Sequence, residues 1–170
     1  MGCTRNTIHY PATGGFPRGK KRSLKVIQEQ RANISGALDA ETHEVLVQEH
    51  KTLNADTTVE FFRMIEKKNQ KATNIYLILD NAGYYKGNKI RDFLKDSSIK
   101  LLYLPPYAPN LNLIERLWKF FKKQVLYNQY YETFAEFKGA CLDFFRKKNI
   151  RKYQKQLDTL LTDNFEIIYV

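Results

Sequence analysis

Two short apolar runs, separated by a segment with helical spacing, dominate the hydrophobic pattern of this chain. Residues 75–79 (IYLIL) and 99–104 (IKLLYL) are rich in β-formers and too short for ordinary helices. Each therefore predicts a buried strand, and the first is expected to be buried on both faces. Between them, Ile90, Phe93 and Leu94 recur at helical spacing. A strand, a helix and a second strand predict a right-handed parallel crossover.

An antiparallel hairpin and a helix are predicted before this crossover. Strand-like runs lie at residues 24–28, 32–38 and 44–48, and the turn between the last two begins at Asp39. Thr57 and Glu60 have the spacing of a capping box, which predicts the first turn of a helix.

Three further helices are predicted after the crossover. The first begins near Asn112, and its apolar residues form one stripe: Leu111, Ile114, Leu117, Trp118, Phe121 and Val125. The second begins at Thr133, which has a capping-box spacing to Glu136. The third carries the apolar residues Tyr153, Leu157, Leu160 and Leu161. The order of elements predicts an α/β fold in which helices flank both faces of a mixed sheet, with residues 1–170 as one domain.

Composition and charge narrow the class of protein. Of the 170 residues, 43% are hydrophobic, which excludes a disordered tail and suffices for a sizeable core. Lys and Arg exceed Asp and Glu by 28 to 18, so the net charge of +10 favours a polyanionic partner such as DNA. The two cysteines suit a reducing compartment. Since no signal peptide or membrane-length apolar run is seen, we expect no membrane association and a cytoplasmic protein, nucleoid-associated in a bacterium.

The first 23 residues are rich in Gly, Pro, Arg and Lys and show no periodicity, so residues 1–23 are expected to form a basic loop. A basic cluster within it consists of Arg18, Lys20, Lys21 and Arg22. This cluster is either a contact for a DNA phosphate backbone or an ordinary solvated loop, and the sequence favours neither.

Two carboxylates stand at positions that suit chemistry. Asp80 follows the first apolar strand, and ligands collect at the carboxyl ends of strands in α/β sheets. Glu115 lies at the border of the apolar stripe, beside Lys119 and Lys122, and from there it can point toward the strand ends. Simpler interpretations exist: Asp80 can form an Asx-turn, and Glu115 can close a capping box with Asn112. The placement of both acids around one stiff connector favours a shared site.

That connector carries the most specific motif of the chain. Residues 104–118 read LPPYAPNLNLIERLW, and their three prolines exclude a helix or a central strand before Asn112. Together with Asp80 and Asn81 after an apolar strand, this motif resembles the second and third acidic motifs of insertion-sequence transposases of the mariner superfamily. The usual motif has Pro where this chain has Leu113. The resemblance extends from about Thr4 to the C-terminus.

The resemblance implies an RNase H-like catalytic domain that cleaves DNA at transposon ends and transfers the cut strand. Such domains carry three acidic residues, of which the last two correspond to Asp80 and Glu115. Carboxylates suit Mg²⁺ or Mn²⁺, and two ions are expected in the complete site. By the match, Asp80 bridges the ions, Glu115 binds one of them, and Asn81 orients the Asp80 carboxylate.

Four lysines near these acids are candidate DNA contacts: Lys86, Lys119, Lys122 and Lys123. A lysine-rich helix face is more often only solvated, so this assignment has a simpler alternative. Trp118 is expected in the core rather than against DNA, and Cys141 likewise lies on an apolar helical face.

The family's first acidic residue has no counterpart in this sequence. In the family it lies on the first, central strand, and no apolar strand ending in Asp precedes Thr4. The nearest acids are Glu29, Asp39 and Glu41. We therefore expect an N-terminally truncated domain that lacks its first strand and one of three metal ligands. The exposed apolar edge would then be covered by residues near the N-terminus, by a partner chain or by a separate upstream fragment.

Two functional hypotheses follow, with a weaker third. The first is a DDE-type transposase catalytic domain that acts in DNA transposition, recombination and integration, with transposon ends and target DNA as partners. It would be incomplete on its own and would pair as a homodimer or with an upstream fragment. The second is a catalytically inactive remnant that binds DNA or pairs with intact transposase subunits. The third is a protein-interaction module that uses the aromatic C-terminal helices.

Overall fold

The computed structural model describes residues 2–9, 31–80, 83–105, 112–127 and 129–162, and for 2–9 and 84 it describes the backbone alone. In these ranges, five strands form one sheet: β1 (Gly2–His9), β2 (Arg31–Leu38), β3 (Val45–His50), β4 (Ile75–Leu79) and β5 (Ile99–Tyr103). Their order across the sheet is β3, β2, β1, β4, β5. The mixed α/β sheet predicted from the sequence is therefore confirmed.

Pairing in the sheet follows the predicted hairpin and crossover. β2 and β3 are antiparallel, from Leu38 opposite Val45 to Asn33 opposite His50. The Asp39 carboxylate accepts hydrogen bonds from the backbone N–H groups of residues 41 and 42, which fixes the hairpin turn. β4 and β5 are parallel, and Leu79 lies opposite Tyr103 at their shared carboxyl end.

The central position of the sheet, for which the sequence showed no apolar strand, is occupied by β1. This strand pairs antiparallel with β2 over its whole length and parallel with β4 at Gly2 and Cys3. The loop prediction is therefore wrong for residues 2–9, but β1 carries no Asp and so is not the acid-bearing strand that the sequence lacks. Residues near the N-terminus were one of the three expected fillings. The segment GCTRNTIH has no apolar alternation, so its strand depends on backbone pairing with two neighbours.

Six helices flank the sheet in the described ranges: α1 (Ala55–Lys68), α2 (Asn88–Lys95), α3 (Leu113–Val125), α4 (Phe134–Phe144), α5 (Lys147–Ile150) and α6 (Gln154–Leu160). None of them is long and apolar enough to cross a membrane. α1 begins one turn earlier than predicted, because Asn54 rather than Thr57 is the N-cap and the two form the capping box. Thr133 caps α4 as predicted.

Two apolar clusters pack on opposite faces of the sheet. α1 and α2 cover one face with residues that include Phe62 and Ile90, together with the β4 residue Leu77. α3, α4 and α6 pack on the other face, where Trp118 is 1% exposed. Burial of β4 on both faces is contradicted, because its side chains alternate and Tyr76 is 54% exposed. β4 has a parallel neighbour on each side, β1 and β5, and yet its two faces are not both covered by helices.

Candidate active site

Asp80 lies at the carboxyl edge of the sheet, directly after β4, and its side chain is exposed. Two features hold this end of β4 in place. Leu79 is buried and lies opposite Tyr103, and its carbonyl oxygen accepts a 2.9 Å hydrogen bond from the Leu104 N–H. Asp80 is therefore carried by a strand end that is fixed on the β5 side, as a ligand-bearing position requires.

Glu115 lies in the first turn of α3, which packs closely against the sheet. The contact is closest at Gly36 of β2, where an added Cβ would lie 2.7 Å from the Trp118 Cζ2 atom. Only glycine allows this approach, because any side chain would push the indole outward. At the start of the helix, Arg116 Nη1 donates to the carbonyl oxygens of Leu160 (3.3 Å) and Thr162 (3.1 Å). The first turn of α3 is thus held from two sides.

The structure brings the charges of Asp80 and Glu115 near enough to interact. Burial raises the pKa of the half-buried Glu115 carboxyl, and the negative charge of Asp80 raises it further. Lys122 and Lys119 oppose this shift, but the net direction of the pKa change remains upward. Two carboxylates from separate elements therefore form one acidic pair at the carboxyl edge of the sheet.

The capping-box alternative for Glu115 is not formed. Asn112 is the N-cap of α3, but its side chain makes no capping hydrogen bond. Its carboxamide is buried, with 2% of the residue exposed, and neither its oxygen nor its nitrogen has a partner among the described residues. The start of α3 therefore leaves the Glu115 carboxylate available. The Asx-turn alternative for Asp80 involves residues 81 and 82, which lie outside the described residues.

A third carboxylate is absent from the neighbourhood that the structure describes. Across the described ranges, no group of three or more His, Cys, Asp or Glu side chains is arranged to hold a metal ion. β1 contains no acidic residue. Its register nevertheless identifies the relevant position: Gly2 pairs with Ile78 and Cys3 with Leu79, so Thr4 is level with Asp80. Thr4 also pairs with Gly36, which places position 4 on the α3 side of the sheet.

The predicted DNA contacts are partly described. Lys119 and Lys123 are exposed and Lys122 is half-buried on α3, and no salt bridge joins any of them to a carboxylate in the described ranges. The Lys86 Nζ atom lies 5.5 Å from the centre of the Tyr103 ring. The remaining predicted site residues lie outside the described ranges: Arg18, Lys20, Lys21, Arg22 and Asn81.

Two aromatic residues that the sequence reasoning missed stand at the far end of α3. Tyr127 is 62% exposed and Tyr130 is 63% exposed, both in the connection to α4. For Tyr127, the sequence signal is its spacing: Glu115, Lys119, Lys123 and Tyr127 recur every fourth residue. Trp118 and Cys141 lie in the core as predicted, and burial raises the pKa of the Cys141 thiol to about 12.

Sequence comparison identifies relatives among mobile elements. A family model described as DDE superfamily endonuclease matches residues 3–138. The chain is 26% identical over 101 residues to the IS630 insertion element uncharacterized 39 kDa protein of Shigella sonnei, which is 59% of this chain and 29% of that protein. It is 40% identical over 65 residues to the Tc3 transposase of Caenorhabditis elegans, which is 38% of this chain and 20% of that protein. The chain thus spans less than a third of either relative.

Solved structures with a similar fold come from the Mos1 transposase. The Mos1 mariner paired end complex with Mn has a TM-score of 0.61 at 15% identity, covering 94% of this chain and 52% of that one. The Mos1 paired-end complex with left transposon end has a TM-score of 0.59 at 14% identity, covering 94% and 53%. These structures share the fold with this chain. The likeness to the IS630 and Tc3 proteins and the shared Mos1 fold confirm the resemblance to transposases of the mariner superfamily. The family match over residues 3–138 shows that the chain belongs to the DDE superfamily endonucleases.

Proposed function

We propose that this chain is the part of an enzyme for metal-dependent DNA cleavage and strand transfer that supplies Asp80 and Glu115 as metal ligands. The observation that carries the proposal is the position of the two acids: Asp80 directly follows β4 at the carboxyl edge of the sheet, Glu115 lies in the first turn of α3, and the Asp80 charge contributes to raising the Glu115 pKa. Neither acid belongs to a described salt bridge. A pair of like charges held in this way is unfavourable alone and becomes favourable around a cation.

The donor atoms fit a hard divalent ion. Mg²⁺ and Mn²⁺ prefer carboxylate oxygens and retain water molecules, and the pair offers oxygen donors without competing thiol or imidazole groups. When bound, such ions activate a water molecule or 3′-hydroxyl and stabilise the leaving oxygen. The contribution of this chain is rigidity: Asp80 is held by β4, and Glu115 by the packing of α3 on Gly36. The Mos1 paired end complex with Mn supports the choice of ion.

DNA is the proposed substrate, as transposon ends first and target DNA second. The net charge of +10 and the lysines of α3 beside Glu115 favour a polyanion at this edge. The Mos1 complex with left transposon end supports the same partner. We further propose that these 170 residues are incomplete as a nuclease, because β1 carries no acid where the register places Thr4 beside Asp80.

Restoring a carboxylate at that position tests the proposal. The Thr4→Asp variant is expected to nick supercoiled DNA carrying transposon ends in Mn²⁺, whereas the unmodified chain nicks it at least about 100-fold more slowly. Thr4→Asn is the matched control, since it is similar in size and adds no charge. Asp80→Asn or Glu115→Gln in the Thr4→Asp background should abolish the nicking. Nicking that survives both substitutions would overturn the assignment of the acids.

The inactive-remnant alternative makes a different prediction in the same assay. A remnant binds DNA with strong salt dependence but does not cleave it in any metal, whether Thr4→Asp is introduced or an upstream fragment is added. The two hypotheses are therefore separated by cleavage, while DNA binding is common to both.

A further inference from the structure

A single ridge of charged and aromatic side chains runs along α3. Glu115, Lys119 and Lys123 recur at intervals of four residues, and Tyr127 continues the interval just beyond the helix end. Residues four apart on a helix form a ridge that is inclined to the helix axis, so this ridge winds from the acidic pair toward the connection between α3 and α4. The ridge thus links the carboxylate, two cations and an aromatic ring in one direction.

The two lysines of this ridge are available to a polyanion. Both are exposed, and neither joins a salt bridge to a carboxylate in the part of the chain that the structure describes. By contrast, Lys89 of α2 lies 2.8 Å from the Asp56 carboxylate. Lysines without an acidic partner keep their full attraction for phosphate groups.

Tyr127 and Tyr130 are exposed on a connection that is anchored to the core. The neighbouring Tyr131 donates its hydroxyl to the Val125 carbonyl oxygen at 2.6 Å, and its ring packs 5.6 Å from that of Phe137. The Tyr127 N–H donates to the Lys122 carbonyl oxygen at 3.1 Å. The connection therefore holds its position without the rings of Tyr127 and Tyr130, which remain 62% and 63% exposed.

Helix geometry sets the length of the ridge. The twelve residue steps from Glu115 to Tyr127 correspond to about 18 Å at a rise of roughly 1.5 Å per residue. A stacked DNA strand advances roughly 3.4 Å per nucleotide, so the ridge matches about five nucleotides. A strand with its reacting phosphate at Glu115 would place phosphates near Lys119 and Lys123 and bases near the tyrosines.

We propose that this ridge binds a single-stranded segment of DNA, with unpaired bases stacked on Tyr127 and Tyr130 about five nucleotides from the reacting phosphate. The inference deepens the proposed function and rests on it for the position of the phosphate. Tyrosine rings stack on a base only when its face is uncovered, which is why the segment is single-stranded rather than duplex. The lysines alone would serve either form.

The experiment measures binding without cleavage. Fluorescence anisotropy with a labelled 20-nucleotide single strand and with a hairpin duplex of the same sequence is recorded in EDTA, using the full chain. Replacing both tyrosines, Tyr127→Ala with Tyr130→Ala, is expected to weaken single-strand binding at least about tenfold and to change duplex binding less than about twofold. The Tyr127→Phe, Tyr130→Phe variant should bind like the unmodified chain, because it keeps both rings.

Tyr76→Ala supplies the matched control, since it removes a tyrosine of similar exposure from the sheet face. It should leave both affinities unchanged. Equal losses for single strand and duplex, or no loss for either, would overturn the proposal. A change of oligomeric mass without a change in DNA affinity would also overturn it and would assign the tyrosines to a protein interface. None of these outcomes depends on nicking by Thr4→Asp, so failure here leaves the metal assignment standing, and the reverse also holds.

Discussion

Apolar helices pack on both faces of the sheet, but the lysines of α1 and α2 on one face differ in their ion pairing from the lysines of α3 on the other. On one face, apolar residues of α1 and α2 cover β4 and β5. On the other, α3 packs on β2 through Trp118, and α4 adds Phe137 to the same apolar cluster. Both faces are dense and aromatic, so hydrophobic burial alone does not distinguish them.

Ion pairing distinguishes the lysines of α3 from three lysines of the helices on the opposite face. Lys68, Lys89 and Lys95 of α1 and α2 lie within 2.8–2.9 Å of the carboxylates of Glu44, Asp56 and Asp92, respectively. The α3 lysines have no such partner among the described residues, and the acid nearest to them in sequence, Glu115, forms no salt bridge there. A net charge of +10 therefore indicates a polyanion-binding surface only after the cations that form salt bridges are excluded. Function is expected at the α3 lysines, which have no salt bridge among the described residues.

The largest expected effect is a loss of stability on the α1 and α2 face. Phe62 is fully buried there, so Phe62→Ala should lower the free energy of unfolding by about 3–5 kcal/mol. Urea unfolding measures this loss. Because Phe62 is remote from α3, Mn²⁺ should still raise the melting temperature of the Phe62→Ala variant. Disappearance of that increase would show that the two faces are not separable.

A smaller loss of stability should damage the site more. Gly36→Ala places a methyl group against the Trp118 ring, and the overpacking should cost about 1–3 kcal/mol while displacing α3 and Glu115. Thermal unfolding with and without Mn²⁺ should show both a lower melting temperature and a smaller response to the ion. Gly139→Ala is the control, because nothing lies within 4 Å of an added Cβ in α4 and the change should be neutral or stabilising. An unchanged Mn²⁺ response in Gly36→Ala would contradict the close seating of α3.

Lysine replacement tests the difference in charge directly. Lys119→Gln with Lys123→Gln should reduce the slope of log K against log salt for duplex DNA by about 2, since each lysine neutralises one phosphate. Lys89→Gln with Lys95→Gln should change the slope little, because both side chains already face carboxylates. The measurement is a salt titration of DNA affinity. Equal changes in slope for the two pairs would remove the distinction between the faces.

The smallest expected effect concerns the pH dependence of stability. Because the folded-state pKa of Glu115 is raised, the unfolded chain ionises first as pH rises above about 4.3. Folded-state stability therefore falls as pH rises toward and through the raised pKa, and it is unaffected by this group at lower pH. Glu115→Gln removes that loss, so in EDTA its stability relative to the unmodified chain should grow from pH 4 to pH 7, by less than about 1 kcal/mol. A constant difference across this range would contradict the raised pKa.

Much of the fold was predictable because its elements carry their own periodicity. The hairpin turn at Asp39, the β4 to β5 crossover and the apolar stripe of α3 are confirmed. β1 was not predictable, because GCTRNTIH forms a strand through pairing on both sides rather than through its own pattern. The start of α1 was misplaced because Thr57 has two plausible capping partners, and only the structure shows that Asn54 is the one used.

The positions of the two candidate acids on their elements could be predicted from the sequence, but their surroundings could not. A strand-end Asp and a first-turn Glu around a proline-rich connector could be paired from sequence, because elements of this kind converge at one edge of a sheet. The position of Thr4 depends on register, and the exposure of Tyr127 and Tyr130 depends on how Tyr131 anchors the connection. Neither register nor anchoring leaves a periodic signal in the sequence.

The central claim is that Asp80 and Glu115 bind a divalent ion together. Mn²⁺ binding followed by electron paramagnetic resonance, at neutral pH and without DNA, tests this claim most directly. The account predicts that the unmodified chain binds Mn²⁺ and that Asp80→Asn and Glu115→Gln each weaken the binding at least about tenfold. The double variant should bind no more weakly than either single one, because one shared site is lost in each case. Unchanged Mn²⁺ affinity in the double variant would contradict the account.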